Sequence, residues 1–208
     1  MPVLDHILWG APDLDAAVDA FSAVTGLVPS GGGAHPGFGT RNQLLALGPD
    51  IFFEIIAPDP AQTDVTSAPR RDKLAARPVP SMYDFCLAEP DLDGFAETAA
   101  AQGVGVSGIV SMSRTRPDGV TLNWRVMHLV PPAPEIVLPF LIDWQGSPHP
   151  AGTAPGGAGL TDFAVLSPVA RKLSALYAAL GIDTPVRAAP LPGFIAVLDT
   201  PEGEVVLT

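Results

Sequence analysis

A pattern that returns at a fixed interval constrains this chain more than any other feature. Residues 4–15 form a short apolar run that ends in Pro-Asp-Leu-Asp, and residues 82–93 repeat this pattern, so that Pro12 and Pro90 lie 78 positions apart. A third copy leads to Pro168, another 78 positions along the chain. Three copies at equal spacing predict three repeats of one supersecondary unit.

Each copy has the same predicted order of elements. A short apolar segment typical of a buried strand comes first, and an amphipathic helix follows it. Asp13 and Asp15 suit the positive start of the first helix, while Ser167 is the predicted N-cap of the third, with Pro168 at its first helical position. The predicted helix ends are Gly26, Gly103 and Gly181. Two or three strand-like runs, separated by turn residues, complete each copy.

These elements predict an α+β fold of repeated βαβββ modules. The first module is assigned to residues 1–60, the second to residues 81–145 and the third to residues 160–208. A proline-rich linker, residues 61–80, joins the first two modules, and a linker rich in glycine and proline, residues 146–159, precedes the third.

Composition narrows the choice of compartment and partner. Hydrophobic residues make up 47% of the 208 residues, enough for a substantial core, and no apolar run is long enough to span a bilayer. The net charge of −11 disfavours nucleic acid and anionic membranes as partners. The start of the chain carries no basic segment, and Cys86 is the only cysteine. We therefore expect a cytoplasmic protein without an intrachain disulfide.

The modules resemble those of the vicinal-oxygen-chelate superfamily, which includes glyoxalases, bleomycin-resistance proteins and dioxygenases. The opening Leu-Asp-His-Ile-Leu-Trp, followed by Pro-Asp-Leu-Asp-Ala-Ala, resembles its first strand and helix. Residues 35–42, 53–60 and 139–144 resemble its glyoxalase-like subfamily. The resemblance covers nearly the whole chain. It implies two modules paired into a cupped mixed β-sheet, with a third C-terminal module beside them, and it implies a homodimer.

The resemblance also implies a divalent metal in the cup, held by side chains of the first and last strands of each module. His6 and Glu54 match the two positions of the first module, and the repeat aligns Asp84 with His6. Residues 138–141 contain no acid where the fourth ligand is expected. We therefore predict a site of His6, Glu54 and Asp84 for Fe(II), Mn(II), Ni(II) or Zn(II), completed by water. The alternative is a hydrogen-bonded histidine and a solvated glutamate.

Further candidates lie in the first module. Glu54 and His35 are the predicted catalytic residues, since histidine exchanges protons near neutral pH. His35 belongs to a glycine-rich loop, residues 31–40, which could equally be a solvated connection. Arg41 and Asn42 are predicted to bind substrate, although strand alternation turns only one of them toward the cup.

Two candidates for substrate binding lie in the second module. Trp124 and Arg125 occupy a predicted strand, and Trp124 shares a face with His128. These side chains would wall the pocket, with aromatic packing in the core as the alternative.

Three classes of function remain open at this stage. One is a metal-dependent lyase, isomerase or dioxygenase that acts on a small oxygenated molecule. The second is a metal-free protein that sequesters a small molecule, as bleomycin-resistance proteins do, which the missing fourth ligand favours. The third is a structural module whose cup is filled by side chains.

Overall fold

The computed structural model describes residues 1–65, 69–116 and 118–208. The first copy of the repeat contains β1 (Val3–Gly10), α1 (Leu14–Thr25), β2 (Ser30–His35), β3 (Thr40–Ala46) and β4 (Phe52–Pro58). A short helix, α2 (Pro69–Ala75), follows. The second copy contains β5 (Ser81–Ala88), α3 (Leu92–Ala101), β6 (Gly105–Val106), β7 (Val110–Thr115), β8 (Thr121–Val130) and β9 (Phe140–Asp143).

The third copy is preceded by a 3-10 helix (Pro150–Gly152) and contains β10 (Gly159–Ser167), α4 (Ala170–Leu180), β11 (Val186–Ala188), β12 (Gly193–Thr200) and β13 (Gly203–Leu207). The α+β class and the repeated strand–helix–strands module are therefore confirmed. Two local predictions change. The glycine-rich loop is a strand, β2, as far as His35, and the proline-rich linker contains α2. No helix in the described ranges is long and apolar enough to cross a membrane.

The chain forms two compact units, and four of the five boundaries between them fall within strands, whereas the fifth lies between Pro148 and His149. One unit consists of residues 6–84, 149–162 and 196–208. In its sheet β1 runs parallel to β4, and β4, β3 and β2 continue as antiparallel neighbours. Helix α1 covers one face, where the Phe21 ring lies 4.9 Å from that of Phe53 and 6.1 Å from that of Trp9. Side chains alternate between faces along a strand, so the intervening residues point to the opposite face.

The other unit consists of residues 1–5, 85–148 and 163–195. In it β5 runs parallel to β9, β9 pairs with β8, and both β6 and β7 pair antiparallel with β8. The Phe85 ring lies 5.3 Å from Phe163 and 6.0 Å from Phe194, which places an aromatic cluster in its core. Tyr177 of α4 is buried, and its hydroxyl donates a hydrogen bond of 2.8 Å to the Val137 carbonyl.

Candidate functional site

Strands β1 and β4 bring His6 and Glu54 together on the face of the sheet opposite α1. His6 lies beside Phe52 in the parallel register, and Leu8 lies beside Glu54. His6 Nε2 is 3.3 Å from Glu54 Oε2, and the two side chains are only 4% and 6% exposed. The imidazole also stacks on the Phe52 ring at 4.3 Å. A buried imidazole and a buried carboxylate thus form one contact pair.

Asn42 of β3 holds the second oxygen of this carboxylate. Its Nδ2 donates a 2.7 Å hydrogen bond to Glu54 Oε1, and its Oδ1 accepts a 2.9 Å bond from the Gly33 amide. Because only the amide oxygen can accept from a backbone N–H, these contacts fix which way the side chain points. The Asn42 NH2 group therefore faces Glu54.

His35 of β2 continues the chain of contacts. Its Nε2 lies 3.3 Å from Asn42 Nδ2, and its Nδ1 lies 2.9 Å from Thr40 Oγ1. The Asn42 nitrogen can only donate, so His35 Nε2 accepts, and in the neutral ring the proton sits on Nδ1 and is donated to Thr40. The contacts run from Thr40 through His35 and Asn42 to Glu54, and from there to His6.

Gly32 explains why the sequence before His35 is rich in glycine. A Cβ at this position would lie 2.0 Å from the Asn42 carbonyl oxygen and 2.5 Å from its Oδ1. No other residue type lets β2 lie this close to β3. The glycine thereby allows the Gly33 amide to reach Asn42, which orients the side chain that holds Glu54.

The surroundings of Glu54 favour its charged form. Burial alone would raise the pKa of this carboxyl, but the hydrogen bond and positive charge of His6 outweigh it, with smaller contributions from His35 and Asn42. The balance lowers the pKa of Glu54 from 4.5 to about 2. The carboxylate is therefore ionised throughout the physiological range.

Two segments cover this face of the sheet. Gly10 shares the face with His6 and Leu8, and a Cβ on it would lie 2.7 Å from Leu74 Cδ2 and 2.9 Å from Tyr83 Cβ. Helix α2, which carries the buried Leu74, packs against β4. The His149 ring lies 5.5 Å from that of Phe52. Parts of both predicted linkers thus lie over the strands that carry the site.

Asp84, the third predicted ligand, has a cationic neighbour. Arg70 of α2 donates a 3.2 Å hydrogen bond to Asp84 Oδ2. Within the described ranges, neither Glu54 nor Asp84 belongs to a group of three His, Cys, Asp or Glu ligand atoms within 4.8 Å of one another. The structure brings together His6 and Glu54 of the predicted set, and the complete set stays a prediction.

The other predicted residues lie elsewhere. Arg41 points to the α1 face and pairs with Asp15 at 3.1 Å, whereas Asn42 points to Glu54, so alternation selects Asn42. In the other unit Arg125 donates hydrogen bonds of 2.8 and 3.0 Å to Asp143. Trp124 is 7% exposed, and its ring lies 5.9 Å from that of Trp144.

A basic segment was missed by the reasoning from sequence. Four of the chain's 11 lysines and arginines, Arg70, Arg71, Lys73 and Arg77, lie within residues 70–77. Two of them place their guanidinium groups over one ring, that of Tyr83. The concentration of positive charge in an otherwise acidic chain was the sequence feature that could have indicated this segment.

Comparison with known proteins agrees with this architecture. The family model of the glyoxalase-like domain matches residues 4–181. A search of curated proteins found no match. Among solved structures, a hypothetical protein from Staphylococcus aureus is 14% identical with a TM-score of 0.71, over 92% of this chain and 88% of that chain.

Two further solved structures have a TM-score of 0.52 and 20% identity over 72% of this chain. One is methylmalonyl-CoA epimerase in complex with methylmalonyl-CoA and NH4+, covered over 99% of its length. The other is Streptomyces coelicolor methylmalonyl-CoA epimerase in complex with 2-nitronate-propionyl-CoA, covered over 100%. At these identities the likeness shows the fold alone.

The repeated modules and the family-model match assign the chain to a class of α+β proteins, the vicinal-oxygen-chelate superfamily. Within it, this chain belongs to the glyoxalase-like domain family, whose model matches most of its length. The family membership fixes neither the reaction nor a dependence on metal.

Proposed function

We propose that this protein is a divalent-metal-dependent lyase, isomerase or dioxygenase that acts on a small oxygenated organic molecule. The observation that carries the proposal is the 3.3 Å separation of His6 Nε2 and Glu54 Oε2, on the two strands where the superfamily places its ligands. Nitrogen and oxygen ligands each about 2.0–2.2 Å from a tetrahedral ion lie about 3.3–3.5 Å apart. The donor pair therefore fits a single cation.

His6 and Glu54 would hold Fe(II), Mn(II), Ni(II) or Zn(II), with Asp84 as the proposed third ligand. When bound, the ion would act as a Lewis acid on the oxygens of the substrate. Arg70 now pairs with Asp84, so ligation by Asp84 requires this ion pair to separate.

The chain's own residues would position this site and carry its proton. Asn42 holds Glu54 Oε1, which leaves Oε2 directed at His6. The bond to Thr40 leaves Nε2 as the basic nitrogen of the His35 ring, and proton uptake there would require its contact with Asn42 Nδ2 to separate. We assign His35 as the residue that accepts and returns a proton. Arg125 and Trp124 stay proposed substrate contacts on the second module.

A second candidate function is metal-free binding of a small molecule. It is favoured by the contacts of Glu54, whose two oxygens already meet Asn42 and His6. A buried carboxylate with both partners in place needs no metal to offset its burial. Under this alternative the face around His6 binds a ligand without changing it.

The two functions separate in a turnover assay. The protein is stripped with a chelator, reconstituted with each of the four ions, and offered 1,2-diketones and, with dioxygen, catechols. The first proposal expects turnover with at least one ion, loss of turnover in His6→Ala, and retention in the exposed-helix variant Glu97→Gln. Ligand binding that is unchanged by the chelator, without turnover, would establish the second function instead.

We also propose a cytoplasmic homodimer whose partner is a small molecule. The single buried cysteine and the net charge of −11 support this compartment and argue against nucleic acid and membranes as partners. Sedimentation equilibrium at several concentrations tests the dimer, and a monomer at all of them would contradict it.

A further inference from the structure

We propose that Arg70, Arg77 and Tyr83 form a binding site for an anionic group, a carboxylate or a phosphate, of a small molecule. The site lies in the unit that contains His6 and Glu54. It uses residues that play no part in the function proposed above, apart from the contact of Arg70 with Asp84.

The Tyr83 ring lies against two guanidinium groups. The central carbon of Arg77 is 5.3 Å from the ring centroid, and that of Arg70 is 5.7 Å from it. Both distances fall within the range of cation–π attraction, about 6 Å. The ring thus holds two positive charges in one small region, although like charges repel.

Arg77 has no acidic partner among the described residues. Its guanidinium donates to the Ser81 hydroxyl and, at 3.2 Å, to the Met82 carbonyl. Its Nε is buried and has no acceptor within residues 1–65, 69–116 and 118–208. In the part of the chain that the structure describes, no carboxylate lies within 4 Å of this guanidinium, whereas Arg70 pairs with Asp84. The group of two arginines and one aspartate therefore keeps one positive charge.

The Arg77 side chain is partly buried, and even a partly buried charge is destabilised when it has no counter-ion. Burial lowers the pKa of Arg77, an effect that the Tyr83 side chain partly opposes. Guanidinium groups bind carboxylates and phosphates through charge-assisted hydrogen bonds. A bound anion would provide the missing negative charge.

The proposed anion site lies close to the face of the sheet that carries His6 and Glu54. Tyr83 lies over Gly10, which is beside Ile56 in the β1–β4 register, two residues from Glu54 on β4. Two residues of a strand span about 6.6 Å. A molecule bound at Glu54 could place an acidic group at Arg77. This second step rests on the proposed function, whereas anion binding by the cluster does not.

Isothermal titration calorimetry with inorganic phosphate and with succinate tests the site, at constant ionic strength with chloride as the reference. We expect saturable binding to the wild-type protein and a loss of about tenfold or more in Arg77→Gln, as for a lost charge-assisted hydrogen bond. Arg71→Gln is the matched control, because Arg71 pairs with Asp72 at 2.9 Å and should leave the affinity unchanged.

Glu54→Gln separates this inference from the proposed function. It should keep the wild-type affinity for the anions even if it loses metal. If neither anion binds, or if Arg71→Gln weakens binding as much as Arg77→Gln, the anion site is refuted. Should Arg77→Gln fail to fold, Arg70→Gln replaces it, and unchanged binding in that variant would refute the site.

Discussion

Among single residues, Glu54 has the environment that most clearly stabilises a buried charge. Glu54 is buried, yet it is held in its charged form by His6 on one side and Asn42 on the other. Asn42 is in turn oriented by the Gly33 amide. If a buried charge loses one of these partners, its desolvation penalty is no longer offset. The ionised state of Glu54 therefore depends on each of these contacts.

The pKa of Glu54 makes a prediction about acid stability. Its pKa in the folded protein, about 2, lies below the ordinary value of 4.5, so its contribution to stability is present above pH 4.5 and is lost as the pH falls toward 2. The shift corresponds to about 3 kcal/mol. Chemical denaturation between pH 5 and 2 should show this loss in the wild-type protein and in Glu97→Gln, and a smaller one in Glu54→Gln. An equal loss in all three proteins would be evidence against the charged pair.

A second prediction concerns Gly32. Gly32→Ala should destabilise the protein by about 1–3 kcal/mol, because the new methyl group overlaps the Asn42 carbonyl. Gly48→Ala, where no atom lies within 4 Å of the new Cβ, is the control and should change stability by less than about 0.5 kcal/mol. Urea unfolding measures the stability of both variants. Similar stability of the two variants would contradict the close approach of β2 and β3.

The sequence predicts part of this site. The resemblance predicted His6 and Glu54, which the structure brings together, and alternation required that only one of Arg41 and Asn42 face the cup. Thr40, Arg77 and Tyr83 could not be found in this way. Their roles depend on the β2–β3 register and on how the segment after α2 packs on Gly10, which are set by tertiary contacts and not by local pattern.

Among the helices and strands, the repeat was the sequence feature that best predicted the order of the elements. Gly26 and Gly181 end their helices with φ of 69°, as their positions predict. The start of α4 differs from expectation. Its N-cap is Val169, which lacks a side-chain hydrogen bond. Ser167 lies two residues before this cap position, and its Oγ accepts from the Val169 amide. Helix α2 was not predicted from the sequence, because proline disfavours a helical conformation of the preceding residue and several prolines lie around this segment.

Asp13 provides a prediction at this scale. Its carboxylate accepts a 2.9 Å hydrogen bond from the Ala16 amide at the start of α1, the helix that packs against Phe53. Asp13→Ala should cost about 1 kcal/mol of stability, and Asp13→Asn should restore most of it. Thermal unfolding compares the two variants. If both were as stable as the wild-type protein, the cap would have no energetic role.

At the scale of the whole molecule, charge is distributed unevenly. The chain carries a net charge of −11, yet four of its 11 basic residues lie within residues 70–77. A small positive region in an acidic protein attracts small anions while the remaining surface repels polyanions. This distribution agrees with a small-molecule ligand, and it could be noticed in the sequence, although only the structure places Arg77 beside Tyr83.

The proposed binding of a divalent ion by His6 and Glu54 is tested by the metal content of the protein. Inductively coupled plasma mass spectrometry is applied to wild-type protein, His6→Ala, Glu54→Gln and Glu97→Gln after incubation with Fe(II), Mn(II), Ni(II) and Zn(II), with thermal unfolding as the check of folding. We predict about one ion per chain in the wild type and Glu97→Gln, and loss of the ion in the other two. Folded wild-type protein without metal, or a metal content in His6→Ala and Glu54→Gln equal to that of the wild type, would contradict this prediction.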